Sequence, residues 1–252
     1  MLTIDLNCDM GEGMSTDDEI FPFISSANIA CGGHAGDSGT MRRSVQLALQ
    51  SGVAIGAHPS YPDRAGFGRT DMLESRPDAV RLGTLLTDLT SQIAALHAIC
   101  QEMGARLHHV KPHGALYNRA ARDPAVSRII CEAVIAIDPS IIIYGLSGGE
   151  TLPAAGAAGL RFLNEVFADR TYRPDGSLTP RSEPFALIRD PATMLNQVLT
   201  MILRHQVRTP NGAIVPIVAE TICLHGDGDD PIKFASIIRS ALERHGITVA
   251  AP

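Results

Sequence analysis

Leu107-His108-His109-Val110-Lys111-Pro112-His113-Gly114-Ala115-Leu116-Tyr117-Asn118 is the stretch on which the fold turns. Pro112 removes a backbone donor, which suits the last residues of a strand and not its middle. Side chains alternate between the two faces of a strand, so His109, Lys111 and His113 fall on one side. A short strand therefore ends in a cluster of titratable groups. Two such groups two residues apart, facing a cavity, are how a site places a general acid or base beside an electrostatic stabiliser.

The same design recurs along the chain. Seven strand-like runs stand out: Thr3 to Cys8, Ala27 to Cys31, Val53 to His58, Leu107 to Lys111, Ile141 to Leu146, Arg161 to Phe167 and Thr221 to His225. Helical patterns lie between them, which is the signature of βαβ units and a parallel sheet. The clearest helix is expected over Ser75 to Met103, where Leu82, Leu85, Leu86, Leu89, Ile93 and Leu96 recur at helical spacing, with Pro77 in its first turn and Gly104 beyond its end. Asp123-Pro124, Asp190-Pro191 and Asp230-Pro231 read as helix starts, and Gly52 and Gly246 as stops. A doubly wound sheet would gather its polar residues around one switch point, whereas here nearly every strand ends in a polar cluster. The expected fold is α/β, a (β/α) barrel of about seven parallel strands in a single domain over residues 1–252. Asp169 to Pro184 is the one long irregular connection, in a position suited to a lid or binding loop.

Composition narrows the function. The 252 residues carry a formal charge of −6 with only 4% aromatics, so neither the basic footprint nor the stacking platforms of a nucleic-acid binder are present. No apolar run approaches the ~20 residues that span a bilayer, and Met1 to Asp5 opens into a strand pattern without a signal-like apolar segment. A soluble, cytoplasmic protein is expected. Cys8, Cys31, Cys100, Cys131 and Cys223 are odd in number, with no C-x-x-C, and read as reduced buried thiols, with a nucleophilic Cys8 or Cys31 as the sharper alternative. Only two of the 21 cationic side chains, Lys111 and Lys233, are lysines, which gives weight to a lysine at a strand end.

The other strand ends supply further candidates. On the first strand Asp5, Asn7 and Asp9 share a face, followed by Glu12 in Met10-Gly11-Glu12-Gly13. Burying three polar groups is costly unless they are hydrogen-bonded, so the choice is between a structural polar layer and a ligand or catalytic site. Asn28 and His34 flank the second strand end, His58 closes the third, and Arg69 sits in the glycine-punctuated loop Asp63 to Arg69 as a carboxylate or phosphate contact. Glu165 and Asp169 share a parity ahead of Arg170, as do His225 and Asp227. His34, His58, His113, His225 and Asp9 have the donor types of a zinc or manganese site, although no tight spacing forces a metal. There is no Walker-type phosphate loop, G-x-G-x-x-G, G-x-S-x-G or H-E-x-x-H.

With Asp5 to Gly13, Asn28 to Asp37, Gly56 to Arg69, Val110 to Asn118, Glu165 to Tyr172 and Ile222 to Asp227 in this order, the chain resembles the LamB/YcsF family over essentially its whole length. The resemblance implies a barrel of the glycoside hydrolase/deacetylase type. It also implies ATP-dependent hydrolysis of 5-oxoproline to glutamate together with two partner subunits, B and C, of a 5-oxoprolinase, ATP being held mainly by or shared with those partners. On that reading Asp9, Lys111, His113 and Glu165 are catalytic. Asn7, Glu12, Asn28, His34, His58, Arg69, Asp169, Arg170, His225 and Asp227 bind substrate. Two other readings stay open: a metal-dependent deacetylase or amidohydrolase acting alone, and a non-catalytic subunit that only captures 5-oxoproline.

Overall fold

Seven parallel strands close on themselves. In the computed structural model, which describes residues 2–14, 17–75, 82–224 and 231–252, the strands β1 (Leu2–Met10), β2 (Ser26–Ala30), β3 (Ala54–His58), β4 (Leu107–Val110), β5 (Ile142–Leu146) and β6 (Phe162–Phe167) follow one another around the ring. Two further strands, β7 (Gln206–Arg208) and β8 (Ile214–Pro216), pair antiparallel outside the barrel. β9 (Thr221–Leu224) then closes it, pairing with β6 on one side and β1 on the other. A last strand, β10 (Ile247–Val249), runs parallel to the first residues of β1. Six of the seven barrel strands both begin and end within a residue of the sequence reading, and β1 begins within one but runs on to Met10. The β7–β8 hairpin and β10 were not anticipated, because three-residue strands are too short to display an alternation.

Helices wrap the outside: α1 (Asp17–Ile20), α2 (Ser38–Ser51), α3 (Met72–Ser75), α4 (Leu82–Glu102), α5 (Gly114–Ala120), α6 (Pro124–Ile135), α7 (Thr151–Ala157), α8 (Pro191–Arg204) and α9 (Pro231–Arg244). Their starts follow the capping chemistry in the sequence. Asp37 accepts from Thr40 N at 2.8 Å, Asp123 from Ala125 N at 3.0 Å and Asp190 from Thr193 N at 2.8 Å. Asp230 and Pro77 lie outside the described residues. On α4 the residues Leu85, Leu89, Ile93 and Leu96 are buried, and each contributes roughly 1.5–3 kcal/mol.

The main core lies between helices and strands. It takes the outward apolar set of each strand, such as Ile4, Leu6 and Cys8 of β1. A second, small apolar cluster of Ile142, Tyr144 and Leu163 sits apart from it. Because the outward set is apolar, the inward set is free to be polar, and in β1 that set is Asp5, Asn7 and Asp9. Among the described residues no helix is long and apolar enough to cross a membrane.

Candidate active site

The polar interior is built in layers. At the lowest, Asp5 accepts hydrogen bonds from Ser25 Oγ (2.6 Å), Ser26 Oγ (2.7 Å) and Thr221 Oγ1 (2.6 Å). A carboxylate met three times by hydroxyls ties β1 to its neighbours, and this layer is structural. One step up the strands, Asn7 Nδ2 donates to Glu165 Oε1 (2.9 Å) and Thr221 Oγ1 (2.7 Å). Asn28 Nδ2 donates to Asn7 Oδ1 (2.8 Å) and Asp9 Oδ1 (2.9 Å). His109 Nε2 donates to Asn28 Oδ1 at 2.7 Å, with its ring stacked on Tyr144 at 4.0 Å. Gly56 faces His109 in the register, and a Cβ there would come within 2.0 Å of that Nε2.

Lys111 stands above this layer. Its Nζ lies 2.9 Å from Asp9 Oδ1, 3.0 Å from Glu165 Oε1, 3.0 Å from Cys223 Sγ and 3.2 Å from Asn7 Oδ1. Burial works against its charge, but Asp9, Cys223 and Glu165 outweigh that and hold the ammonium above its ordinary pKa. An ammonium has three donors, and all are engaged here. The other oxygen of Glu165, fully buried, has no hydrogen-bond partner, nor has the buried Tyr117 hydroxyl. Burial, and then the nearby Glu165 carboxylate, push that hydroxyl well above its usual range.

At the rim three imidazoles converge. His58 Nε2 lies 3.3 Å from Asp9 Oδ2 and 2.9 Å from His113 Nδ1. Glu12 Oε1 lies 2.7 Å from His34 Nε2 and 3.3 Å from His113 Nδ1. The rings of His34 and His113 are stacked at 3.6 Å. Burial keeps His34 and His113 neutral, whereas the Asp9 carboxylate overcomes burial at His58 and raises it. The Asp63 to Arg69 loop presses on this cluster: Phe67 has φ 53° and Gly68 φ 63°, and a Cβ on Gly68 would meet His113 Cδ2 at 2.8 Å and His34 Cβ at 2.9 Å. Glu12, His34, His58 and His113 each offer one ligand atom, all within 4.8 Å of one another.

With this geometry in view, the match of residues 4–252 to the LamB/YcsF family decides the affiliation. The chain belongs to the LamB/YcsF family. It is 51% identical to the A subunit of 5-oxoprolinase from Bordetella parapertussis (strain 12822), across 98% of each chain. The lactam utilization protein of Thermus thermophilus is 41% identical and superposes with a TM-score of 0.89 over 100% of both chains. A polysaccharide deacetylase from Bacillus cereus, 12% identical with a TM-score of 0.51 over 100% of this chain and 92% of the other, shares the fold alone.

In this LamB/YcsF chain the mouth gathers Asn7, Asp9, Glu12, Asn28, His34, His58, Lys111, His113 and Glu165 into one connected group. Other candidates lie outside this hydrogen-bonded group. Arg69 is exposed, with its guanidinium 5.0 Å from the centre of the Phe67 ring. Asp169 is half-buried, and Arg170 is buried with Nε unpartnered and one amino group donating to Thr179 O at 2.5 Å. His225 and Asp227 lie outside the described residues. The cysteines are all buried free thiols, and burial pushes Cys31 up to about 12 and raises Cys8 well above its ordinary value. They stay protonated, which disfavours a nucleophilic Cys8 or Cys31. A cavity of about 810 Å³ lies apart from the mouth group, against α8 and the β7–β8 hairpin.

Sequence reasoning placed His109 on the face of Lys111 and His113 without giving it a role, read Cys223 only as a buried thiol, and passed over Ser60, Tyr117 and the Phe67 carbonyl. The parity of His109 with Lys111 was readable, as was that of Ser60 with His58. A backbone carbonyl turned inward by a positive φ leaves no such trace.

Proposed function

We propose that this chain forms the lactam-opening centre of an ATP-dependent 5-oxoprolinase built from several subunits, which converts 5-oxo-L-proline to L-glutamate. The observation that carries the reading is the Asp9–Lys111–Glu165 network at the mouth of a chain half identical, nearly end to end, to a relative of that name. A five-membered lactam resists hydrolysis. Transfer of the γ-phosphoryl group of ATP to its carbonyl oxygen, with release of ADP, makes the carbon open to water; the adduct then breaks the ring C–N bond as the nitrogen takes a proton, and a second water releases phosphate to leave glutamate. This chain carries no phosphate-loop motif, so ATP is assigned mainly to the partner subunits B and C or to a surface shared with them.

The residues divide the remaining work. Asp9 is 8% exposed and is the carboxylate of the network nearest the rim. Lys111, with every donor occupied, pairs with Asp9 and sets a positive field beneath the carbon under attack. Asp9 takes the proton of the attacking water, a role worth about 10² to 10⁴ in rate. Asn7 and Asn28 orient Asp9 and Lys111. Arg170, a buried guanidinium with a free Nε, supplies the fork for the substrate carboxylate. Arg69 and Asp169 line the approach.

Glutamate formation from 5-oxoproline and ATP should be measured with this chain alone, with the two partners alone and with all three. Turnover only in the complete mixture is expected. Full turnover without this chain, or by this chain alone, would overturn the assignment.

A further inference from the structure

The contacts of the three rim imidazoles leave a definite count of protons. His58 Nδ1 lies 2.7 Å from the Lys111 carbonyl and His113 Nε2 lies 3.0 Å from the Phe67 carbonyl. A carbonyl only accepts, so each of these nitrogens carries the proton of its ring. Ser60 gives its single hydroxyl proton to Tyr61 O at 2.8 Å, so His34 Nδ1, 3.1 Å from Ser60 Oγ, is the donor there. In a neutral imidazole the other nitrogen is then a bare lone pair. Those lone pairs are His58 Nε2, His113 Nδ1 and His34 Nε2, and they face one another and Glu12 Oε1.

The two shortest of the resulting contacts set acceptor against acceptor. His58 Nε2 meets His113 Nδ1 at 2.9 Å, and His34 Nε2 meets Glu12 Oε1 at 2.7 Å. Each is repulsive unless a positive charge lies between. Two additional protons would be needed in a pocket where all three histidines are buried, and a divalent cation carries the same charge in one particle. The outer contacts of the rings also match what ligating histidines show, each handing its second N–H to a carbonyl or hydroxyl that fixes tautomer and orientation.

We propose that Glu12, His34, His58 and His113 bind one divalent first-row transition-metal ion. Three imidazole nitrogens and one carboxylate oxygen suit zinc, cobalt or manganese and not magnesium or calcium, which prefer oxygen. The four ligand atoms lie within 4.8 Å of one another. Ligand atoms about 2.0–2.1 Å from one tetrahedral zinc ion stand roughly 3.3 Å apart, so the wider separations in this group close on binding. Asp9, 3.3 Å from His58 Nε2 through Oδ2 and 2.9 Å from Lys111 through Oδ1, joins this centre to the Lys111 network.

The test does not depend on lactam hydrolysis. The full-length chain, stripped with chelator, is titrated with Co²⁺ while visible d–d absorption is followed, and then with Zn²⁺ in competition. One ion per chain is expected, with bands well above those of aqueous cobalt and displaced by Zn²⁺ but not by equal Mg²⁺. Glu12→Gln, His34→Gln and His58→Asn should each weaken binding at least tenfold, with folding checked by circular dichroism. Glu12 lies in a loop outside the strands, so Glu12→Gln decides the matter if a histidine variant fails to fold. Silent cobalt spectra, equal competition by Mg²⁺, a thiolate charge-transfer band, or binding unchanged in folded Glu12→Gln would overturn the proposal.

Discussion

Lys111 and His58 leave neighbouring strands, β4 and β3, and both reach Asp9, yet their surroundings are opposite in kind. Around Lys111 the cation has its counter-charges inside the protein: one ammonium lies between two carboxylates, with an amide oxygen and a thiol filling the remaining directions. Around His58 lone pairs meet lone pairs, and the carboxylates at hand, Glu12 and Asp9, add to the excess of acceptors. The first region is complete around its cation; the second is arranged for something that arrives. A barrel mouth therefore holds two polar clusters of similar burial, and the balance of donors and acceptors, rather than burial, separates them.

The largest effect should come from breaking the complete half. Lys111→Met leaves Asp9 and Glu165 buried with no cation between them, and removing one partner of a buried ion pair costs about 3–5 kcal/mol. At roughly 2–4 °C per kcal/mol for a chain of this size, Tm should fall by about 10 °C. Adding Glu165→Gln removes one of the stranded charges and should return part of the loss. A single variant that melts with the wild type would show that these charges do not depend on one another.

Acidification sharpens the contrast from the neutral side. Burial, followed by the charges of His108 and Lys111, holds His109 well below the ordinary histidine value. Its folded pKa lies below its unfolded one, so the unfolded chain takes up the proton first. The stability it contributes is present above about pH 6.5 and is lost as pH falls, by about 2 kcal/mol at pH 5. His109→Gln should flatten the fall in unfolding free energy between pH 7 and pH 5, read from urea melts at both. Parallel slopes in the two proteins would remove His109 from the balance.

The smallest effect concerns the rim outside both clusters. Arg69 is exposed and rests on Phe67, an arrangement worth about 0.5–1 kcal/mol. In the assembled complex Arg69→Lys should raise KM for 5-oxoproline modestly, with Tm and kcat nearly unchanged. A large drop in kcat would place Arg69 in the mouth group.

Much of this was open to sequence reading, and for a local reason. Strand alternation acts over two residues and needs no knowledge of neighbours, so Asn7 with Asp9 and Lys111 with His113 could be grouped before any fold was in hand. Helix starts at Asp123 and Asp190 were legible because a cap is a contact across two or three residues. The hairpin β7–β8, the pairing of β10 with Leu2–Ile4 and the short helix α3 were not, since each element is too short or too dependent on its packing to leave a period.

The sequence by itself determined that polar side chains from six strand ends, Asp9, Asn28, His58, Lys111, Glu165 and Cys223 among them, would point into one closed space, because a parallel barrel turns every second residue inward. Only the tertiary structure decided how they divide. Lys111 is placed between residues 102 positions before it and 112 after it, and His34, His58 and His113 aim their free nitrogens at one point because the carbonyls of Lys111 and Phe67 and the hydroxyl of Ser60 claim the other three. Tautomer and charge are set by contacts across the barrel, and no spacing along the chain encodes them.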